Sequence, residues 1–274
     1  MNQPIAVLCP ICSEPLARAG RSYACQKWHN FDLSKEGYLS LLQGRGNYQE
    51  IGDDKLMVEA RLRVHKLSPY ARLADAIAGI CPGNIAGAPV LDIGCGDGFF
   101  LGHLAGAAGV QGIGVDVSKG ALAKAAKAFP DLLFIRSDAA HNRLPFNDAT
   151  FGLVMTIFAP RPLEEIRRVL GADGNWLMAT ATQDHLKEVR DFLPLASVGS
   201  GKLDAPTSGS FSVLKSAVVA HELEVSHEEL ASVIEMSPSI HRLRREHGDN
   251  WPELVPKQLK VTFSFSVTLL GRDP

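Results

Sequence analysis

The sequence has no apolar run approaching the roughly 20 residues that a helix needs to cross a bilayer, so we expect no membrane span. Residues 1–8 are too short and lack the basic start of a secretory signal peptide. Only five cysteines occur in 274 residues, as is usual where thiols are kept reduced. Together these features predict a cytoplasmic protein.

Neither sign of charge is in large excess, because 28 lysine and arginine residues face 30 aspartate and glutamate residues. That balance gives no indication of a nucleic-acid partner. The distribution is uneven, since residues 1–72 hold ten lysines and arginines against seven acidic residues. Any basic surface is therefore expected near the start of the chain.

Three of the five cysteines lie within the first thirty residues. Cys9 and Cys12 form one pair, and Cys25 and His29 follow after a gap of twelve residues. This spacing predicts a tetrahedral zinc site with three thiolates and one imidazole. Four protein ligands leave no open position on the metal, so the zinc is expected to be structural.

Tyr23, Trp28 and Phe31 lie close to the predicted zinc ligands. The N-terminal segment that carries these ligands is too short to bury much core, so metal binding is expected to supply much of its folding free energy. We expect the three aromatic side chains to pack around the metal. The alternative is that they offer stacking faces to unpaired bases.

After residue 89, short apolar strands alternate with helices. The predicted strands are 90–93, 112–115, 132–135, 151–158 and 175–180, and the predicted helices are 99–108, 120–129 and 163–170. Earlier in the chain, Asp53 or Asp54 is expected to cap a helix through His65, and Pro69 to begin another through Ile80. The alternation predicts an α/β fold with a doubly wound parallel sheet. Residues 259–270 alternate like a strand of an edge hairpin.

A glycine-rich turn follows the first of these strands, with glycines at 94, 96 and 98. Glycine permits close approach of a ligand to the backbone. Asp92 precedes the turn and Asp116 ends the next strand, where an acidic residue suits the two hydroxyls of a ribose. The competing interpretation is a binding site for a nicotinamide cofactor, although such sites usually have the spacing Gly-x-Gly-x-x-Gly.

The string Val-Leu-Asp-Ile-Gly-Cys-Gly-Asp-Gly at 90–98 resembles motif I of class I S-adenosylmethionine-dependent methyltransferases. The resemblance covers roughly residues 54–185. It implies a Rossmann-like sheet, S-adenosylmethionine as cofactor, Asp116 at its ribose and Asp138 at its adenine. The alternative for Asp138 is an ordinary loop aspartate.

A sharper resemblance combines Cys-Pro-x-Cys, Cys-x₃-His-x-Phe-Asp, Lys-Glu-Gly-Tyr-x-x-Leu-Leu and the motif I string. Together they resemble the 23S rRNA (guanine-N1)-methyltransferases, essentially end to end. Phe-Ala-Pro-Arg at 158–161 is more similar to the branch with macrolide-resistance enzymes than to the branch with Tyr-Ala-Pro-Cys. The resemblance implies structural zinc, S-adenosylmethionine, a 23S rRNA hairpin as partner and a homodimer.

The same resemblance implies a set of cofactor-binding residues. They are Tyr70, Asp92, Gly94, Gly96, Asp97, Gly98, Asp116, Asp138 and His185. Tyr70 and His185 match positions that contact the cofactor beside the glycine turn. The alternative for His185 is a helix-capping or core histidine, but its place just after a strand favours a ligand site.

Guanine N1 carries a proton at neutral pH, so a general base is expected, with Asp97, Asp138 and His185 as candidates. Base pairing occupies the N1 edge in a duplex, so the target guanine must be unpaired or flipped. Phe158 is a candidate to stack on it.

Two further residues of the loop after residue 158 are candidates at the acceptor. Pro160 could stack on the guanine beside Phe158, and Arg161 could hold its carbonyl or a phosphate. Simple turn chemistry before the next helix explains Pro160 and Pro162 equally well. The predicted catalytic set is Asp97, Asp138, Phe158 and Arg161.

We therefore expect a zinc-binding module for RNA recognition at 1–42, a linker with helices at 43–80 and a methyltransferase domain at 81–274. One alternative is a small-molecule methyltransferase in which the zinc module only stabilises the fold or a dimer. The other is a protein that binds RNA or S-adenosylmethionine without catalysis.

Overall fold

A computed structural model describes residues 5–42, 52–83, 85–193, 195 and 210–273, and every structural statement below concerns those residues. Its strands are β1 (Ala17–Ala19), β2 (Ser22–Ala24), β3 (Asn30–Asp32), β4 (Leu39–Ser40), β5 (Pro89–Ile93), β6 (Gln111–Asp116), β7 (Leu133–Arg136), β8 (Phe151–Ile157), β9 (Leu170–Ala181), β10 (Phe211–Ser226) and β11 (Gln258–Arg272). Its helices are α1 (Lys55–Val64), α2 (Ser68–Ile80), α3 (Phe99–Ala108), α4 (Lys119–Ala128), α5 (Leu163–Val169), α6 (Lys187–Arg190), α7 (His227–Glu235) and α8 (Ile240–His247). A 3₁₀ helix, Gly248–Leu254, follows α8.

Two sheets organise the described chain. A three-stranded antiparallel sheet, β1-β2-β3, holds the segment with the predicted zinc ligands. An eight-stranded sheet has the order β10-β11-β9-β8-β5-β6-β7-β4. Its strands from β9 to β4 are mutually parallel, and β11 runs antiparallel to β9. The predicted parallel α/β sheet is confirmed.

Local sequence signals located α1 to α5 closely, whereas α6, α7 and α8 were not predicted. The Asp54 side chain accepts a hydrogen bond from the Met57 N–H at 2.9 Å, which caps α1 as expected. Pro69 stands in the first turn of α2, where its missing N–H costs nothing. Helix α3 has the predicted bounds.

The C-terminal strand differs from its predicted place. Residues 259–270 were expected at a sheet edge, but β11 lies between β9 and β10, and β10 forms the edge. The two strands are connected through α7, α8 and the 3₁₀ helix, not by a hairpin turn. Strand β10 went unpredicted because residues 212–218, after the buried Phe211, are all exposed and so lack the alternation that marks a half-buried strand.

The zinc-binding segment packs on the large sheet. Strand β4, within the predicted 1–42 module, pairs in parallel with β7. Leu8 N–H donates to the Pro145 carbonyl at 2.8 Å, and Leu41 N–H donates to the Arg136 carbonyl at 3.0 Å. The predicted division into domains stays a prediction.

The sheet separates two buried clusters of side chains. One side holds the apolar faces of α2, α3 and α7. On the other side, Phe31 and Leu39 of the N-terminal segment share a cluster with Leu91 and Ile113 of the central strands. The N-terminal segment therefore covers a sheet face that would otherwise expose apolar surface to water. No described helix is long and apolar enough to cross a membrane.

Candidate active site and metal centre

The four predicted metal ligands converge. One donor atom from each of Cys9, Cys12, Cys25 and His29 lies within 4.8 Å of the other three. Backbone hydrogen bonds shape both loops: Ser13 N–H donates to the Cys9 carbonyl at 2.9 Å, and Trp28 N–H to the Cys25 carbonyl at 3.0 Å. These two turns direct the thiol groups towards one point.

The spacing of the donor atoms fits a zinc ion. The sulfurs of Cys12 and Cys25 are 3.7 Å apart, and His29 Nδ1 lies 3.5 and 3.4 Å from the sulfurs of Cys9 and Cys25. A tetrahedron with Zn–S of ~2.3 Å and Zn–N of ~2.0 Å has edges of about 3.8 Å between sulfurs and about 3.5 Å between sulfur and nitrogen. The ligand set is closed, as a structural site requires.

The aromatic residues near the metal do not all pack as expected. Phe31 is buried, and Tyr23 packs partly buried against the same cluster. Trp28 instead has 90% of its surface exposed and a positive φ of 65°. The prediction that Trp28 packs around the metal is wrong, because the Cys25–His29 turn points its indole away from the cluster.

A cavity of about 330 Å³ opens at the carboxyl edge of the large sheet. The loops after β8, β5, β6 and β7, taken in their order across the sheet, contribute Phe158, Gly94, Asp116 and Asp138 to its wall. Ligands of doubly wound sheets bind at this edge. Four residues singled out in the sequence therefore meet in one cavity.

The glycine turn is required by close backbone packing. Gly94 has φ of +73°, and a Cβ there would lie 2.5 Å from the Cβ of Ala159. Gly98 has φ of +77°, and a Cβ there would lie 2.9 Å from the Phe134 ring. Only glycine suits these positions. The turn thus packs between the β8 loop and Phe134 of β7, with Gly94 at the cavity wall and Gly96 and Gly98 outside the lining.

Asp116 fixes the turn and faces the cavity. Its two carboxylate oxygens accept hydrogen bonds from Gly96 N–H at 2.8 Å and Ser118 N–H at 2.7 Å. A carboxylate has further lone pairs, so it can still accept from the hydroxyls of a ribose. Asp138, at the next strand, accepts from the N–H groups of Ala140 and His141 and from His141 Nδ1 at 3.0 Å.

Asp97, within the glycine turn, and Asp92, in β5, do not line the cavity. His65 Nδ1 lies 3.0 Å from an Asp97 oxygen. Burial raises the pKa of Asp97, but the hydrogen bond and charge of His65 and the charge of Arg61 outweigh it, so the pKa falls below its usual value. Asp92 Oδ1 is buried with no hydrogen-bond partner among the described residues. Burial, then the charges of Asp116 and Asp97, raise the pKa of Asp92 well above its usual value. Asp97 is therefore ionised and Asp92 favours its neutral form.

Arg61 and Asp53 are cavity residues that sequence reasoning missed. Both line the wall, and the Arg61 guanidinium forms an ion pair with Asp53. Burial raises the pKa of Asp53, and Arg61 only partly opposes this. Arg61 and His65 lie four residues apart and so share one face of the helical turn. The sequence predicted this helix, but not which face would cover the glycine turn.

Phe158 has an unusual position. Its side chain is 47% exposed, its φ is +54°, and its ring lies 5.5 Å from Phe265. A bulky residue in the left-handed region is strained, and such strain clusters at functional sites. Arg161 follows in the same loop, partly buried, with Nη1 at 3.6 Å from the Met178 sulfur.

Tyr70 and His185 both pack against two phenylalanines in the middle of β11. Both rings contact Phe263 and Phe265. Ser264 N–H donates to His185 Nδ1 at 3.2 Å, and burial, then the Arg190 charge, lowers the pKa of His185 to about 4. Burial also raises the pKa of Tyr70. Neither residue lines the described cavity, so their predicted contact with a cofactor stays a prediction.

Two protein families match parts of the chain. Residues 7–43 match the family described as "RlmA, N-terminal", a zinc ribbon. Residues 90–174 match the family described as "Methyltransferase domain". The first match includes the three-stranded sheet β1-β2-β3, and the second includes the central strands β5 to β8.

Two relatives match most of the chain. A 23S rRNA (guanine(748)-N(1))-methyltransferase of Streptomyces fradiae is 34% identical over 238 residues, covering 84% of each chain. A protein of Micromonospora griseorubida, provisionally named a 23S rRNA (guanine-N(1)-)-methyltransferase, is 36% identical over 259 residues, covering 84% of this chain and 85% of that one.

A solved structure shares the fold. It is an S-adenosylmethionine-dependent methyltransferase from Thiobacillus denitrificans in complex with S-adenosyl-L-homocysteine. It is similar with a TM-score of 0.50 and 16% identity, covering 79% of this chain and 97% of that one.

Proposed function

Because this chain belongs to the family of 23S rRNA (guanine-N1)-methyltransferases, we propose that it methylates N1 of an unpaired guanine in a 23S rRNA hairpin loop. The chain is an S-adenosylmethionine-dependent enzyme with a structural zinc site. The observation that carries the choice of acceptor is Phe158, an exposed and strained aromatic ring at the wall of the cofactor cavity. Such a ring suits stacking on an unpaired base.

The order of strands sets the layout of the cavity. Neighbouring strands are about 4.8 Å apart, so three steps from β8 to β7 amount to roughly 14 Å. Asp138 after β7 and Phe158 after β8 are therefore too far apart to touch the same base. This separation supports Asp138 at the adenine of the cofactor, Asp116 at its ribose and Phe158 at the acceptor guanine.

The cofactor supplies a methyl group that its sulfonium already makes electrophilic, so the protein contributes mainly alignment of N1 in line with the S–CH₃ bond. Phe158 would hold the guanine plane, and Arg161 would contact its carbonyl or a neighbouring phosphate. Bound at this cavity, the cofactor would give up its methyl group and leave as a neutral thioether, and the proton of N1 would pass to solvent water. Neither Asp97 nor His185 lines the cavity, and the pKa of each lies below its ordinary value. Their predicted role at the acceptor therefore stays a prediction.

We further propose that the zinc module contacts the RNA through Trp28. The exposed indole offers a stacking face to a single-stranded loop, and the neighbouring Lys27, in a surface ion pair with Glu14, adds a solvent-exposed cation. Trp176 and Trp251 are buried, so Trp28 is the one exposed tryptophan of the three in the chain. RNA binding should therefore quench the Trp28 fluorescence.

Trp28→Ala is expected to weaken binding of the RNA hairpin by roughly 5- to 100-fold, since stacking contributes ~1–3 kcal/mol per base. Trp28→Phe should keep much of the affinity and lose the quenching. The matched control is Ile11→Ala, because Ile11 is an exposed apolar residue on the other metal-binding turn, between Cys9 and Cys12. Unchanged RNA affinity in Trp28→Ala, with an altered oligomeric state, would instead place Trp28 in a dimer interface.

We also propose that the chain forms a homodimer and acts in the cytoplasm. We further propose that it divides into a zinc-binding module at 1–42, a linker with helices at 43–80 and a methyltransferase domain at 81–274. Sedimentation of the purified chain tests the dimer. A monomer at micromolar concentration with full activity would exclude a functional requirement for it.

The acceptor is tested with labelled S-adenosylmethionine and deproteinised 23S rRNA. The expected result is one labelled guanine per RNA, with the methyl on N1, and loss of label in Phe158→Ala. Label on another atom or no label on RNA would overturn the proposal. Transfer to a small acceptor without RNA would favour a small-molecule enzyme, and cofactor binding without any transfer would favour a non-catalytic protein.

A further inference from the structure

The guanidinium of Arg61 lies beside the glycine turn. One terminal nitrogen, Nη2, contacts the Asp53 carboxylate. The other, Nη1, would be only 2.9 Å from a Cβ placed on Gly96. Asp53 is itself held in place, because its carbonyl accepts a hydrogen bond from the Ser118 hydroxyl at 3.1 Å. Arg61 is therefore presented to the turn in a fixed orientation.

The cavity wall is acidic apart from this group. Asp53, Asp116 and Asp138 contribute carboxylates, and Arg61 is the only lysine or arginine among the described lining residues. S-adenosylmethionine carries a sulfonium, an ammonium and one carboxylate. The carboxylates of the wall suit its cationic groups and its hydroxyls. Its carboxylate needs a cation, and a guanidinium is the group best matched to it in shape.

The order of the strands places that carboxylate near Arg61. If the ribose lies at Asp116 on β6 and the adenine towards β7, the methionine part extends in the opposite direction, over the turn that follows β5. Gly96 belongs to this turn, and Arg61 Nη1 lies next to it. A helix that precedes the sheet in sequence thus supplies the cation at this end of the cavity.

We propose that Arg61 binds the carboxylate of the methionine part of S-adenosylmethionine and that Asp53 positions its guanidinium. This assignment rests on the proposed use of the cavity by that cofactor. The two terminal nitrogens then have separate partners: Nη2 stays with Asp53, and Nη1 meets the cofactor carboxylate. Asp53 is a positioning residue, because it acts through Arg61.

The test compares two ligands that differ by the carboxylate alone. Binding of S-adenosylmethionine and of decarboxylated S-adenosylmethionine to the full chain is measured by isothermal titration calorimetry without RNA. Arg61→Gln is expected to weaken S-adenosylmethionine binding by about 10- to 100-fold, as for loss of a charge-assisted pair. Binding of the decarboxylated ligand should change less than about threefold.

Arg63→Gln is the matched control on the same helix. Its Nε donates to the Ser232 hydroxyl at 2.9 Å, so it points towards α7, and its removal should alter neither affinity. Equal weakening of both ligands in Arg61→Gln would mean that Arg61 only supports the turn, and would overturn the proposal. Equal affinity of the unaltered protein for the two ligands would overturn it as well.

A second variant covers a failure of Arg61→Gln to fold, judged by circular dichroism. Arg61→Lys keeps the charge but cannot bind Asp53 and a second carboxylate with a planar fork. It should show a smaller preference for the ligand with the carboxylate, and an unchanged preference would contradict the proposal. Since no RNA is present, failure to methylate 23S rRNA would overturn the proposed acceptor and leave the assignment of Arg61 intact.

Discussion

Replacement of Gly94 by alanine tests how tightly the cofactor turn packs against the loop that carries Phe158. The added Cβ would lie 2.5 Å from the Cβ of Ala159, whereas carbon atoms prefer ~3.5–4.0 Å. One of the two loops must move by about 1 Å. The backbone φ of +73° adds a second penalty, because alanine disfavours the left-handed region by ~1–2 kcal/mol.

Overpacking of a tight contact costs ~1–3 kcal/mol, so Gly94→Ala should lower the free energy of unfolding by about 2–5 kcal/mol. Gly109→Ala is the matched control, because Gly109 has φ of +63° and nothing within 4 Å of its Cβ position. Both variants share the conformational penalty and the altered unfolded state. Their difference therefore isolates the contact with Ala159.

The assay combines thermal unfolding with calorimetric titration of S-adenosylhomocysteine. At about 2–4 °C per kcal/mol for a chain of this size, Gly94→Ala should melt several degrees below Gly109→Ala. It should also bind the ligand more weakly, since Gly94, Ala159 and Pro160 all line the cavity. Equal melting temperatures and equal affinities in the two variants would refute the packing argument.

Three further predictions concern the metal, the proposed ribose site at Asp116 and pH. Cys25→Ser should abolish stoichiometric zinc binding and lower the melting temperature of the whole chain by at least ~5 °C. Structural zinc contributes ~10–16 kcal/mol to folding, and the N-terminal segment covers a face of the large sheet. An unchanged melting temperature would contradict this. Asp116→Asn should weaken S-adenosylhomocysteine binding about 10- to 100-fold by losing a charged acceptor, as titration would measure. The folded-state pKa of His185, about 4, lies below the ordinary 6.5, so the unfolded chain binds the proton more readily and stability should fall as pH drops from about 6.5 to 4. His185→Asn should flatten that part of the denaturation profile, and an unaltered slope would exclude the assignment.

The sequence by itself determined the features that depend on short-range spacing. Cys9, Cys12, Cys25 and His29 could be assigned to one metal because a tetrahedral site needs ligands in closely spaced pairs. The cap of α1 at Asp54 and the place of Pro69 in the first turn of α2 follow from local hydrogen-bonding needs. The alternation of strands and helices fixed the parallel sheet and, with it, the edge where Asp116 and Asp138 meet.

The tertiary structure alone decided which side chains from distant parts of the chain face one another. Which side of α1 covers the glycine turn, and so brings Arg61 to Gly96, depends on packing against distant elements. The exposure of Trp28 and the packing of the N-terminal segment on a face of the large sheet also depend on contacts between distant elements. Spacing along the chain constrains neighbours within a turn or two, while contacts between remote segments are set by how their surfaces fit once folded.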